Sequence, residues 1–271
     1  PRIAPAEIRV VASIKGVGSS IGLVGRVCAR FYGANTGLFQ GKPMKTRDLG
    51  DLSGPVLLYG GPYSNLQATR ALFQMADVLG IAPGNRICTG DVVAYCADPF
   101  ATARLVLDQG GTLVAGNCER QIAGGADDCG CGFEDGSACD ILSKGWYPYA
   151  LRALADHEDI RAAFAAAPDI VVFTQSGKRF AVIHGGATDI ARFIWSTSPE
   201  TTFADEIAAI EVAVGPVDGI IAGHSGIPFT RSIGRHIWIN AGVIGMPPNN
   251  GGQTTRFAIL ENARAQFGTL T

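Results

Sequence analysis

Four residues of this chain have the types and placement to hold a cation together: Asp91, Asn117, His184 and His224. Asp91 follows Arg86-Ile87-Cys88 and Gly90, and Asn117 follows Thr112-Leu113-Val114 and Gly116. His184 ends the run from Arg179 and precedes Gly185-Gly186, while His224 follows Ile220-Ile221-Ala222-Gly223. Each preceding run reads as a strand, and strand ends are where open α/β sheets bind ligands. A carboxylate, an amide oxygen and two imidazoles form a mixed nitrogen and oxygen donor set suited to Zn²⁺, Mn²⁺ or Fe²⁺. Taken singly, a Gly-Asp after a strand is an ordinary turn. The joint pattern is what points to a metal centre.

The elements that must position these residues are legible from about residue 54. Val56-Leu57-Leu58-Tyr59 is a short apolar run closed by Gly60-Gly61-Pro62, a buried strand entering a turn. Asn65 caps a helix through Leu66, Leu72 and Leu79, ended by Gly80. Asp98-Pro99 opens a second helix, stopped by Gly110-Gly111. A loop rich in Gly, Asp and Cys is expected over 123–139, with helices near 146–156 and 157–166. Ile170 to Thr174 and Arg179 to Ile183 flank Gln175-Ser176-Gly177-Lys178, a hairpin signal. A helix fits 201–213, and strands fit Gly219–Ala222, Thr230–Ile233, Ile237–Asn240 and Phe257–Leu260. Parallel βα units followed by hairpin-like strands predict an α/β domain with two sheets and outer helices.

Five blocks give the chain a resemblance to the calcineurin-like metallophosphoesterases. Gly90-Asp91-Val92-Val93-Ala94-Tyr95-Cys96-Ala97-Asp98-Pro99 resembles the family's G-D-x-V-x-Y-G-x-D-P block. Gly116-Asn117-Cys118-Glu119-Arg120 resembles G-N-H-[DE]-R, and Val182-Ile183-His184-Gly185 resembles V-H-G. Gly223-His224-Ser225-Gly226-Ile227-Pro228 resembles G-H-T-H-x-P, and Trp238-Ile239-Asn240-Ala241-Gly242-Val243-Ile244-Gly245 resembles I-N-P-G-S-V-G. The resemblance runs in order from about residue 54 to 260 and implies a two-sheet α/β/β/α sandwich. It also implies hydrolysis of a small phosphorylated substrate, a phosphomonoester or phosphodiester.

The departures from the family pattern fall on one metal of its usual pair. The family's first block, D-x-H-G-N, reads Gly61-Pro62-Tyr63-Ser64-Asn65 here, and the second His of G-H-x-H is Gly226. Carried over by position, the ligands of the other metal are complete: Asp91, Asn117, His184 and His224. The expectation is therefore one divalent cation per chain. The resemblance places Cys118 where the family has a His near the phosphate. Cys118 is open to three readings: a buried filler, a thiolate ligand or a nucleophile. Glu119 and Arg120 are expected to orient neighbours or pair with a phosphate oxygen, and Tyr63 to donate a hydrogen bond in the site.

Cys129, Cys131 and Cys139 follow closely in an acidic loop with Asp127, Asp128 and Glu134. C-x-C is not the pairing of common zinc sites, so a substitute second metal site, a redox or disulfide-linked loop and incidental thiols all stay open. The odd count of seven cysteines, with no convincing secretory signal, predicts a cytoplasmic protein. Net charge is −2 and no long apolar run occurs, which argues against a general nucleic-acid surface and a membrane span. Residues 1–43, including glycine-rich 16–22, are expected to be a leader, and 44–271 the metallophosphoesterase-like domain. Two alternatives accompany the hydrolase reading: a non-catalytic binding or regulatory protein of the same fold, and a metal–thiolate or redox protein built on the cysteine loop.

Overall fold

The computed structural model describes residues 43–271 except Phe133, Asp135 and Asn249, and of Ala138 and Cys139 the backbone alone. The expected leader, apart from Pro43, and the glycine-rich stretch 16–22 lie outside the described residues.

Alternation along the strands dictates the layering. In β2 (Val56–Tyr59) all four residues are buried, but they face two ways. Leu57 and Tyr59 join a core with the helices α1 (Leu66–Val78), α2 (Pro99–Gln109), α4 (Ala138–Ala153) and α5 (Glu158–Ala166). Val56 and Leu58 instead meet Val171, Phe173, Phe180 and Val182 of β5 (Ile170–Gln175) and β6 (Lys178–Val182). Ile170, Val172 and Ala181 point to the far side, where α6 (Glu200–Val214) covers them. A strand with period 2 buried on both faces reads as a continuous apolar run, as it does here.

The result is two stacked sheets between helical layers. One sheet has the order β11 (Arg264–Leu270), β10 (Thr255–Glu261), β2, β3 (Arg86–Cys88), β4 (Thr112–Leu113). The other runs β1 (Thr46–Asp51), β5, β6, β7 (Gly219–Ala222), β9 (His236–Asn240), β8 (Phe229–Ile233). β2, β3 and β4 are parallel, as are β6, β7 and β9, so their C-terminal ends emerge together within each sheet.

Several expectations need correction. The helix α3 (Asn117–Gly124) begins at a candidate ligand and was not foreseen. α4 starts at Ala138, before the expected 146, because Ser137 caps it by accepting from the Asp140 amide at 3.2 Å; Pro148 is accommodated inside. The edge strands β1 and β11 were also missed, since neither is an apolar run; backbone pairing to β5 and β10 holds them. No helix among the described residues is long and apolar enough to cross a membrane.

Candidate metal centre

The loops that leave β2, β3, β4, β6 and β7 meet at one edge of the sandwich. The turn after β2 is tied to the one after β3 by three amides: Gly61 to Gly90 O, Tyr63 to Asp91 O and Ser64 to Val92 O, at 3.0, 3.2 and 2.9 Å. Close approach is why Gly90 is a glycine: a Cβ there would lie 2.7 Å from both the Gly116 amide nitrogen and His184 Nδ1. Asp91 then adopts a φ of 58°, a left-handed conformation uncommon for aspartate.

Three ligand-type side chains, Asp91, His184 and His224, bring donor atoms within 4.8 Å of one another, and all are buried. His184 is the pivot. Its Nδ1 lies 2.6 Å from Thr89 O. A carbonyl only accepts, so Nδ1 carries a proton, and whenever the ring is neutral Nε2 presents a lone pair. Nε2 lies 3.0 Å from Asn117 Oδ1, 2.9 Å from His224 Nδ1 and 3.3 Å from Asp91 Oδ2. Three polar atoms thus converge on Nε2. Among the described residues, Asp91 Oδ1 and His224 Nε2 are buried without a hydrogen-bond partner.

The electrostatics follow from that crowding. Burial acts to raise the Asp91 carboxyl, but the imidazoles of His184 and His224 outweigh it and hold the pKa far below the carboxylate range. Burial disfavours a charged His184, yet the Asp91 carboxylate, helped by the Thr89 carbonyl, pushes its pKa up. His224 is lowered by burial and by the charge of His184.

Asn117 enters through the first turn of α3, its amide Nδ2 donating to Cys129 O at 2.9 Å. Cys129 and Cys131 form a disulfide, which removes both from the thiolate set considered above. The side chain of Cys139 lies outside the described residues. Cys118 is a buried free thiol whose pKa is pushed well up by burial and by the charges of Asp91 and Glu119, so it is held as the neutral thiol. Tyr63 is similarly raised by burial and by Asp91. Cys118, Tyr63, Tyr95, Phe193 and Cys131 line a cavity of about 140 Å³ that also reaches Asp91 and His224. A larger cavity of about 390 Å³, between Asp51, Gln175 and Glu261, contains none of these residues.

Arg120 and Glu119 take different places. Arg120 does not face the cavity. Its guanidinium binds Ala165 O at 3.1 Å, Ala167 O at 2.7 Å and Asp169 Oδ1 at 2.5 Å, covering the C-terminal end of α5. Cations favour that end of a helix. Glu119 is fully buried, and its carboxylate accepts from the amides of Asp91, Val92 and Gly116, each at 2.8 Å. It clamps the two ligand-bearing loops and has no reach left for a phosphate. Phe193 went unrecognised in the sequence, being one aromatic in an irregular loop; its ring packs on His224 with centroids 4.3 Å apart. Asn240 braces the His224 turn by donating to Ser225 Oγ at 2.8 Å.

No protein-family model matches the chain, and neither does any curated protein. Solved structures do match. The chain is similar to a hypothetical protein of Pyrococcus horikoshii OT3, with a TM-score of 0.62 and 14% identity over 79% of this chain and 86% of that one. It is also similar to a metallophosphoesterase from Sphaerobacter thermophilus, with a TM-score of 0.57 and 16% identity over 80% of this chain and 89% of that one. Identities this low speak for fold and leave the reaction to the site. The layering, the sheet order and these likenesses together show that the chain has the calcineurin-like metallophosphoesterase fold.

Proposed function

We propose that the protein is a phosphoester hydrolase working with one divalent cation held by Asp91, Asn117, His184 and His224. The observation that carries this reading is the convergence on His184 Nε2. With Nδ1–H committed to Thr89, an imidazole lone pair, an amide oxygen and a carboxylate oxygen share one small volume. Mutually facing donors of electron pairs repel unless a proton or a cation lies between them, and the ligand-type chemistry of this set suits a cation. The two unpartnered buried atoms, Asp91 Oδ1 and His224 Nε2, fit the same need for a ligand.

The count of one cation rests on how the neighbouring space is filled. The resemblance assigns ligands of another metal to positions 61, 63 and 226. A Cβ on Gly61 would lie 2.6 Å from Val243 Cγ1 and 2.7 Å from Tyr63 Cζ, so no aspartate side chain fits there. A Cβ on Gly226 would make only ordinary contact with the methyl groups of Val243, at 3.4 Å. At position 61, Tyr63 and Val243 fill the place with carbon.

When bound, a divalent cation supplies Lewis-acid polarisation of a phosphoryl oxygen. The chain's own groups do the rest. Thr89 O fixes the His184 tautomer, and Glu119 holds the Asp91 and Asn117 loops at their separation. Tyr63 and Cys118 stay protonated beside the cavity and offer neutral donors to a phosphate oxygen. Tyr95 and Phe193 form apolar walls that suit a small organic group on the phosphate. One observation favours the non-catalytic alternative: among the described residues, no Lys or Arg lines this cavity. Turnover separates the two readings. With Mn²⁺ supplied, the wild-type chain is expected to hydrolyse small phosphomonoester or phosphodiester substrates, and His184→Ala and His224→Ala to lose at least about 100-fold, the upper range for disturbing such ligand sets. Equal turnover by a folded double variant would contradict the hydrolase reading; saturable binding with no turnover in the wild type would favour the alternative.

A further inference from the structure

The Cys129–Cys131 loop, which the proposed reaction does not use, is built against the weakest member of the ligand set. A primary amide has two similar ends, and only one can serve a cation. Asn117 Nδ2 donates to Cys129 O at 2.9 Å and lies 3.3 Å from Cys131 Sγ and 3.6 Å from Cys118 Sγ. A carbonyl accepts and cannot donate, so the Cys129 contact forces Nδ2 toward the loop and leaves Oδ1 facing His184 Nε2 at 3.0 Å. The other end choice would set an NH₂ against the cation and a carbonyl against a carbonyl.

Residues 126–132 are irregular, and the two cysteines there are nearly fully buried in the helical core. Among the described residues, polar ties of this stretch include the Ala126 amide to Gln121 O at 3.0 Å, the Gly130 amide to Asp128 Oδ1 at 2.6 Å and the Tyr147 hydroxyl to Ala126 O at 2.9 Å. The disulfide is the covalent tie, joining the residue whose carbonyl binds Asn117 to one that lines the cavity.

We propose that the Cys129–Cys131 disulfide is a redox-sensitive positioning device that orients Asn117 toward the cation, so that its reduction weakens cation binding. The inference rests on the one-cation reading above. The chemical step is thiol–disulfide exchange with a dithiol reductant. The Sγ–Sγ bond breaks, its sulfurs take two electrons and two protons from the dithiol, and the dithiol leaves as its own disulfide. Two free thiols then leave the Cys129 carbonyl without its covalent tie to Cys131. Outer-shell partners of metal ligands influence affinity by about 10–100-fold.

The test is calorimetric titration of Mn²⁺ into the full chain, since Mn²⁺ has little affinity for thiols. Peptide mapping first establishes the cysteine pairing. Five samples are compared: oxidised wild type, the same protein reduced by a dithiol that is then removed under argon, Cys129→Ser with Cys131→Ser, and Asn117→Ala in each of the two redox states. Circular dichroism establishes that each is folded. The expected result is Mn²⁺ binding to the oxidised protein, weakened about 10-fold or more in the reduced protein and the double serine variant. Asn117→Ala should bind weakly and equally in both redox states. Equal affinity of oxidised and reduced wild type overturns the inference while leaving the cation site standing. A redox effect undiminished in Asn117→Ala also overturns it, as does mapping that shows Cys129 and Cys131 unpaired in the oxidised protein. Absence of binding to the oxidised protein, with either Mn²⁺ or Zn²⁺, overturns the one-cation reading itself and the inference with it.

Discussion

Gly61 and Tyr63 belong together in a way that only the packed structure explains. The tyrosine ring and Val243 lie where any side chain at position 61 would go, and Gly61 holds a φ of 46°. Gly61→Ala should therefore destabilise the fold by about 2 kcal/mol, from overpacking joined to a left-handed conformation. Urea unfolding would measure it, and a loss under about 0.5 kcal/mol would mean that the space is not filled as described. At this scale much of the site was legible. Asp91, Asn117, His184 and His224 stood out because polar residues at glycine-flanked strand ends have few structural reasons to recur in one fold. Glu119 and Arg120 were placed together in the sequence, yet they do different things. Successive helical residues point about 100° apart, so one faces the ligand loops and the other the end of α5. Without foresight of α3 their directions could not be separated.

Among the elements, the β5–β6 hairpin shows what local chemistry can specify. Gln175 pairs with Lys178 across a two-residue turn in which Ser176 and Gly177 have φ of 52° and 72°. Positive φ at both central positions marks the turn whose twist matches antiparallel strands. Serine is the poorer choice for the first of them. Ser176→Asn should raise stability by about 0.5–1 kcal/mol, since asparagine tolerates that conformation better. An unchanged or lowered urea midpoint would contradict the turn assignment. The buried strands and capped helices were readable for the same reason, as short-range signals agreed with burial. β1 and β11 were not, because edge strands keep polar side chains and are specified by their neighbours' free backbone groups. α4 was foreseen too short, with Gly145 and Pro148 masking a helix that tertiary packing sustains.

The whole molecule explains why the candidate ligands come from two sheets. Asp91 and Asn117 follow strands of the five-stranded sheet, and His184 and His224 follow strands of the six-stranded one. The apolar layer between the sheets, from Val56 and Leu58 to Phe173 and Val182, fixes their separation. A cation at the shared edge would tie the sheets to each other, and its loss should loosen both. The most direct test of the one-cation reading is elemental analysis of the full chain, purified without chelator and reconstituted with Mn²⁺ or Zn²⁺, beside His184→Ala. About one equivalent per chain is predicted for the wild type, with near none for the variant. Two equivalents would contradict the filling of the neighbouring space by Tyr63 and Val243, and none in the wild type would contradict the metal centre altogether.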